Sequence, residues 1–248
     1  MISIELLELA AVPGWRAIEE DRLGDWLLRA ADGFTGRANS ALAVGDPGMA
    51  AAAAAEHVRD WYRARGLPPM IAVPYRTGEP HSSELDRLLA GLGWAPRSGP
   101  ATVMVAAAAE VTGDPCGVEI EDEPDAAWLG RYHYRGRPLP PAAIRLLTSA
   151  PWQAFASVRA GGTTVAIGRV AAAAGWAGLT AIEVDPGWRR RGLGAAVTAA
   201  LVAAAERAGA HRIYLQVEDG NAAARALYRK IGFTDHHGYH YRVAPELS

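Results

Sequence analysis

The 248-residue chain has one cysteine, Cys116. No intrachain disulfide can form, and a reducing cytoplasm is the simple inference. Cys116 lies in Gly113-Asp114-Pro115-Cys116-Gly117, which reads as a linker, so it is a bystander rather than a nucleophile. Lysine is nearly absent as well: Lys230 stands alone, and arginine carries the rest of the positive charge. The formal net charge is only −2. No global basic field points to nucleic acid or to an anionic membrane. Long apolar runs are missing too. The longest, 193–205, is too short to span a bilayer and ends in Glu206-Arg207. The first ten residues carry acids where a secretory signal would carry bases. The expectation is a soluble cytoplasmic protein, monomer or homodimer, with neither a membrane nor a nucleic acid as partner.

Half the residues are hydrophobic and about a fifth are charged, enough to bury a sizeable core. The length suits one large domain or two small ones. Strands and helices alternate, as in an α/β or mixed α+β fold. Helices are expected at about 50–65, 84–92, 141–148, 193–208 and 221–231, and one starting near Pro124 as a first-turn proline. Strands are expected at 70–73, 101–107, 118–121, 179–184, 212–217 and 239–243. Gly161-Gly162 between two alternating apolar runs predicts a hairpin. The small, turn-like residues 106–117 mark a boundary, giving lobes 1–110 and 111–248.

The halves look related. Val44-Gly45-Asp46-Pro47-Gly48, a helix, Gly66 and a strand parallel Val184-Asp185-Pro186-Gly187, a helix, Gly209 and a strand. Leu88-Leu89-Ala90-Gly91-Leu92-Gly93-Trp94 parallels Leu227-Tyr228-Arg229-Lys230-Ile231-Gly232-Phe233. A duplication explains this; so would chance, since both matches are short and alanine-weighted. Either way, the first half is shorter where Arg189-Arg190-Arg191-Gly192-Leu193-Gly194 sits in the second.

That loop joins a strand to a helix. Two glycines would let backbone approach a ligand closely. The first helical N–H groups lack internal partners and carry the positive end of the helix dipole. A phosphate is the natural guest, and flanking arginines add charge-assisted hydrogen bonds. The spacing excludes a P-loop and the three-glycine dinucleotide fingerprint. A nucleic-acid patch would bring more basic and aromatic neighbours.

Val184-Asp185-Pro186 followed by Arg189-x-x-Gly192-x-Gly194 resembles the acetyl-CoA motif of the GNAT superfamily of N-acetyltransferases. Asn221, then Ala226-Leu227-Tyr228-Arg229-Lys230-Ile231-Gly232-Phe233, is similar to that superfamily's second motif. The match covers 118–248. The wider chain resembles an actinobacterial two-lobed subfamily, some of whose members are described as N-acetylglutamate synthases. That resemblance lies in residues 25–29, 35–40, 132–136 and 176–180. It implies tandem lobes, each a mixed, mostly antiparallel sheet flanked by helices, with the first lobe degenerate and unable to bind CoA.

The resemblance also implies roles. The amides of Arg189, Arg190, Arg191, Gly192, Leu193 and Gly194 cradle the pyrophosphate of acetyl-CoA, with Arg189 and Arg191 at its edge. Ile182 and Val184 lie on a splayed strand and pair with the pantetheine arm, the Val184 amide facing the thioester oxygen. Asn221 reaches the pantetheine, and Tyr228 protonates the leaving thiolate. Each has a plainer reading: Asn221 is a sensible helix cap, and Tyr228 fits an ordinary core position. The general base is open among Glu183, Glu218, His133, His236, His237 and His240, with Glu183 entered as the candidate. No metal is expected, since the histidine cluster at 236–240 lacks a partnering cysteine. Tyr132-His133-Tyr134-Arg135 falls where a GNAT lobe shapes its acceptor site. Arg37 and Asn39 read as holding a turn.

The reading is an acetyltransferase acting on a small-molecule primary amine, an amino acid such as glutamate being one candidate. A non-catalytic CoA-binding scaffold is the alternative, as is an acetyltransferase whose acceptor is an antibiotic or a protein N-terminus.

Overall fold

The computed structural model describes residues 2–133 and 139–245. Tyr134, Arg135 and Gly136, part of the aromatic segment singled out above, lie outside the described residues. The first half holds α1 (Ile4–Ala11), β1 (Glu19–Leu23), β2 (Trp26–Ala30), β3 (Ala41–Leu42), α2 (Ala51–Arg63), β4 (Met70–Arg76), α3 (Glu84–Gly91), β5 (Ala95–Pro96) and β6 (Ala101–Ala107). The second half holds β7 (Glu119–Glu121), α4 (Ala126–Arg131), α5 (Ala142–Leu147), β8 (Trp152–Ala160), β9 (Thr163–Ala173), β10 (Trp176–Val184), α6 (Leu193–Arg207), β11 (Arg212–Glu218), α7 (Ala222–Lys230) and β12 (Thr234–Val243). None of the described helices is long and apolar enough to cross a membrane.

Local chemistry sets several boundaries. Ser3, Ser83, Asp125 and Asn221 each accept a hydrogen bond from a first-turn amide and so start α1, α3, α4 and α7. Asp125 is the cap of α4, so Pro124 precedes that helix instead of entering its first turn. Gly161 and Gly162 both take positive φ, 57° and 78°, as a tight hairpin turn between β8 and β9 requires. Arg37–Asn39 form a short 3-10 turn. The Asn39 side chain holds it, accepting from the amides of Ala31 and Gly33 and donating to the carbonyls of Phe34 and Thr35.

All twelve strands form one mixed, mostly antiparallel sheet, flanked by helices in two GNAT-like lobes. Its order is β1-β2-β3-β4-β12-β6-β11-β10-β9-β8-β7, with β5 beside β12. Parallel pairs occur at β3–β4 and β10–β11, at matching places in the two halves. The middle of the sheet is exchanged. Strand β6, from the first half, pairs with β11 from Ala101↔Glu218 to Ala107↔Arg212. Strand β12, from the second half, pairs with β4 from Met70↔Val243 to Arg76↔His237. The two exchanged strands also pair with each other. The lobes therefore share hydrogen bonds across the 110/111 line drawn from sequence.

The cores follow this plan. Val170, Leu201 and Phe233 of the second half close around Met104, which arrives on β6. Leu28, Val58, Ile71, Leu89 and Trp94 fill the first. A third cluster joins the halves: Trp15 and Phe34 pack with Trp128, Tyr132, Leu146 and Phe155. Each large side chain buried this way contributes roughly 1.5–3 kcal/mol. The Trp128 indole N–H donates to the Ala156 carbonyl, 3.1 Å away, so its polar edge is also satisfied.

Candidate active site

The site begins where two parallel strands part. β10 and β11 stay paired only as far as Leu179↔Leu215. Just beyond, Ala181 takes φ +54° and the register of β10 against β9 shifts between Thr180 and Glu183. This bulge bends β10 away from β11. The Asp185 amide donates to the Val165 carbonyl of β9. Alternation then turns the main-chain groups of Val184 and Ile182 the other way, towards the gap β11 has left. Their N–H groups have no strand beside them there.

The chain next passes through the short 3-10 turn Pro186–Trp188, which the Asp185 carboxylate caps by accepting from the Gly187 amide at 2.8 Å. Arg190 and Gly192 take positive φ, 61° and 82°. Helix α6 follows with no side-chain cap. Its first internal bond runs from the Ala196 amide to the Gly192 carbonyl. The amides of Leu193, Gly194 and Ala195 are thus left without helical acceptors, at the positive end of the dipole.

The two glycines do different work. Space beside Gly192 is open, and its left-handed backbone makes the turn. A Cβ on Gly194 would lie 2.9 Å from the Leu227 side chain. Gly194 lets α6 pack against α7. Of the arginines, Arg189 donates from Nε to the Val184 carbonyl at 3.3 Å. The Arg191 guanidinium lies 4.6 Å from the Trp188 ring centroid. Arg190 is exposed.

At the inner end of the gap is a cavity of about 260 Å³, lined among others by Ile182, Glu183, Asn221, Ala224 and Tyr228. Asn221 is the cap of α7, accepting from the Ala224 amide at 3.2 Å, and also faces this cavity. Tyr228 is buried edge-on against Phe233. Burial pushes its phenol up to about 12. Its hydroxyl makes no hydrogen bond among the described residues. Burial also raises the Glu183 carboxyl, against the opposing effect of the His133 amide, which donates to it at 3.3 Å. Glu218 lines the same cavity.

The histidines divide. His133 sits beside Glu183, its ring Nδ1 2.8 Å from the Arg131 carbonyl. His236 and His237 contact each other and are held by the Ile2 carbonyl and the Glu8 carboxylate. His240 is 2.5 Å from Asp86. The last three are tied to α1 and α3 and do not line the cavity. His81, Asp86 and His240 have metal-ligand spacing. However, Arg242 grips Asp86 at 2.9 and 2.6 Å. A guanidinium there repels a cation, and the cluster is an ion-pair network pinning β12 to α3.

A second cavity, of about 200 Å³, adjoins the first. Tyr132, Leu179, Thr180, Ala181, Gln216 and Glu218 line both. Its far wall is Trp15, Arg37, Arg97, Tyr239 and Tyr241. Arg37, read from sequence as a turn residue, faces this space. Arg97, Gln216, Tyr239 and Tyr241 were not foreseen. They meet only because β6 and β12 cross between halves, and no local pattern records that crossing.

An uncapped helix start beside a parting parallel strand pair is the construction of a GNAT-fold acetyltransferase. A family model described as "Probable histone acetyltransferase Rv0428c C-terminal" matches residues 2–242. The chain is 32% identical to the "Probable histone acetyltransferase Rv0428c" of Mycobacterium tuberculosis, over 99% of this chain and 75% of that one. It is 29% identical to the "Uncharacterized N-acetyltransferase YobR" of Bacillus subtilis, over 98% and 99%. The solved structure of a GCN5-related N-acetyltransferase from Kribbella flavida shares the fold, with TM-score 0.70 at 20% identity over 100% and 98%. The chain belongs to the Rv0428c C-terminal family within the GNAT superfamily. It is an acetyl-CoA-dependent acetyltransferase acting on amine-containing substrates.

Proposed function

We propose that the second lobe transfers an acetyl group from acetyl-CoA directly to the primary amine of a small molecule, an amino acid such as glutamate being the leading candidate. The observation that carries this reading is a compact polar cavity adjoining the one at the parted strands. The two, about 200 and 260 Å³, must hold the acetyl end of the cofactor as well as the acceptor, which leaves little of the roughly 300–1,000 Å³ of a drug-sized site. A small acceptor suits them better than an aminoglycoside or a folded protein surface.

The residues fit the cofactor's chemistry. The open amides of Leu193, Gly194 and Ala195, with Arg189, Arg190 and Arg191 around them, suit a pyrophosphate. The free edge of Ile182 and Val184 suits an extended amide arm, with Asn221 opposite. When bound, acetyl-CoA supplies an activated acetyl thioester. The Val184 N–H then donates to the carbonyl oxygen as negative charge grows there.

Tyr228 is the proton donor at the sulfur. A phenol near 12 stays protonated through the neutral range and remains a donor. A free thiol sits near 8.5, so outright transfer to the thiolate is uphill by roughly 3–4 units. The proton therefore moves as the C–S bond breaks, with a second proton arriving from solvent or substrate. Glu183, beside the cavity and held above the usual carboxylate range by burial, accepts the proton the amine must lose. His133 is its neighbour.

Calorimetric titration with acetyl-CoA should show binding at one site per chain. Free-thiol release should then be screened over amino acids, polyamines, aminoglycosides and a histone-tail peptide. Turnover with small amino acids is the expected result. Release with the peptide alone would overturn the small-acceptor reading. Binding with no release across the panel would leave a CoA-binding scaffold.

A further inference from the structure

The second cavity carries an unusual charge. Arg37 is partly buried, and its Nε is shielded from solvent with no acceptor. No carboxylate pairs with Arg37 among the described residues. Its guanidinium lies 5.7 Å from the Trp15 ring centroid. On the other side of the cavity Arg97 sits 5.7 Å from the Tyr241 ring centroid, with only the Met70 sulfur, at 3.4 Å, against Nη1. Glycine at position 36 makes room for it. A Cβ there would lie 2.9 Å from the Arg97 Nη1 and 3.1 Å from the Tyr241 ring. The chain thus brings a second guanidinium next to the backbone that carries the first.

A third cation stands behind them. Arg169 is fully buried and, among the described residues, bonds only to neutral groups: the Leu147 and Gly14 carbonyls at 2.6 and 3.1 Å, and the Thr180 hydroxyl at 3.4 Å. Its Nη2 has no partner among them. It lies 5.2 Å from the ring centroid of the same Trp15. Burial depresses its pKa to about 10, so it is charged at neutral pH. Buried cations without counter-ions cost free energy. The acids near this system are placed elsewhere. Glu183 lines the end nearest Tyr228, Glu218 stands on the wall common to both cavities, and Glu8, bound to His237, acts on Arg37 without an ion pair.

The adjoining cavities thus carry Arg37 and Arg97 at the first-lobe end and Glu183 beside Tyr228. We infer that Arg37 together with Arg97 receives the carboxylate of the amino-acid acceptor, so the first lobe selects the substrate. This rests on the acetyl-transfer reading above and adds to its amino-acid acceptor the residues that recognise the carboxylate. The carboxylate is the missing counter-ion of the arginine wall. With it seated there, the amine at the other end of a short molecule lies towards Glu183 and Tyr228.

The test compares each of several amino acids with its carboxamide, in the full chain, by thiol release. For the wild type, the carboxylate form of the accepted amino acid should have a kcat/KM about 100-fold above its amide, as expected for charge-assisted hydrogen bonds worth roughly 1.5–3 kcal/mol each. In Arg37→Gln that preference should shrink to about threefold, through KM, with acetyl-CoA affinity unchanged. Arg37→Lys should recover part of it. Arg97→Gln should give a smaller loss of the same kind. A parallel calorimetric titration uses glutarate, which carries carboxylates and no amine, and reads binding without turnover. Glutarate should bind the wild type and weaken at least tenfold in Arg37→Gln. Equal rates with acid and amide, or a preference that survives the Arg37→Gln/Arg97→Gln double variant, would overturn the inference. So would glutarate binding that is absent or indifferent to both arginines. Failure of the acetyl-transfer reading would instead appear as absent acetyl-CoA binding, which the glutarate titration does not depend on.

Discussion

The two lobes are built to the same plan, and only one carries the parts for acyl transfer. Both have a parallel strand pair that separates. β3 and β4 pair at Ala41↔Ile71 and Leu42↔Ala72, as β10 and β11 do up to Leu179↔Leu215. Both have a helix starting near the point of separation, and neither α2 nor α6 has a side-chain cap. The first lobe even keeps a cleft in the matching place, lined by Trp26, Val44, Pro47, Ala51 and Pro74. What differs is the chemistry. The bond from the Gly48 amide to the Asp46 side chain is common to both, matching Gly187 and Asp185, but in the first lobe the Asp46 amide is taken by the Asp25 carboxylate at 2.9 Å. Each cleft is lined by two glutamates, Glu5 and Glu84 in the first lobe and Glu183 and Glu218 in the second, but the first-lobe turn has no counterpart of Arg189, Arg190 and Arg191. Where the second lobe has Tyr228, the first has Leu89, fully buried. The fold by itself makes a cleft between parting strands. On the proposed reading, a few extra loop residues and one hydroxyl turn the cleft into a site for an anion and a leaving group.

That contrast can be broken experimentally. Tyr228→Phe should lower kcat by about 10²–10⁴-fold, the usual worth of a positioned proton donor, with acetyl-CoA affinity unchanged. Its counterpart Leu89→Ala should lower the melting temperature and leave kcat per folded molecule unaltered. Equal loss of kcat in both would erase the distinction.

The next largest effect concerns how the lobes are held together. Asp86 of α3 and Arg225 of α7 occupy matching places in the two lobes, and both grip β12, through Arg242 and Asp235 respectively. Asp86→Ala leaves Arg242 buried and unpaired, so it should cost about 3–5 kcal/mol. Urea unfolding followed by tryptophan fluorescence and by activity should still coincide, because β12 pairs with β4 and with β6 in the middle of the one sheet. Arg242 and His240 hold the Asp86 carboxyl down at about 2 against its burial. The folded pKa is below the unfolded one, so this stabilisation is full above about pH 4 and is lost as pH falls towards 2. Substitution at Asp86 should abolish that part of the acid transition.

Arg189→Ala with Arg191→Ala should weaken acetyl-CoA by about 100-fold, two charge-assisted contacts at roughly 1.5 kcal/mol each. The calorimetric stoichiometry should stay at one per chain, and two sites would mean the first lobe also binds. The smallest effect is expected from Glu183→Gln. Burial raises the Glu183 carboxyl above its ordinary value. As proton acceptor it makes kcat/KM fall as pH drops through that raised value. The Gln variant should lose about tenfold at neutral pH and its acid limb with it. An unchanged profile would remove Glu183 from the reaction.

Much of the second lobe was legible because its signals are local. The Gly161-Gly162 turn, the glycines of the loop, and the helical spacing around Tyr228 each act within a dozen residues. Ala181 was not legible: an alanine in a strand gives no warning of a positive φ, yet it creates the gap and turns Glu183 towards the cavity. Asn39 was rightly read as a turn residue. Arg37, two residues earlier, was assigned the same duty, because nothing in the sequence says that residues 97, 216, 239 and 241 gather opposite it. The first-lobe elements α1 and β1–β3 also escaped, being short and weakly periodic. The histidine cluster at 236–240 looked like one group. Strand alternation and two different helices separate it into two.

The exchanged strands have a consequence in time. Residues 234–243 leave the ribosome after every other strand of this sheet, and they are the neighbour that β4, made some 160 residues earlier, must wait for. Until then the first lobe has an unpaired edge next to a strand, β6, whose own main partner β11 is also still to come. Unpaired edges of this kind invite pairing with other chains. The chain commits both lobes in one late step. A break anywhere between them leaves each fragment without its inner strand, and the acceptor wall, assembled from both sides of that step, exists only in the finished molecule.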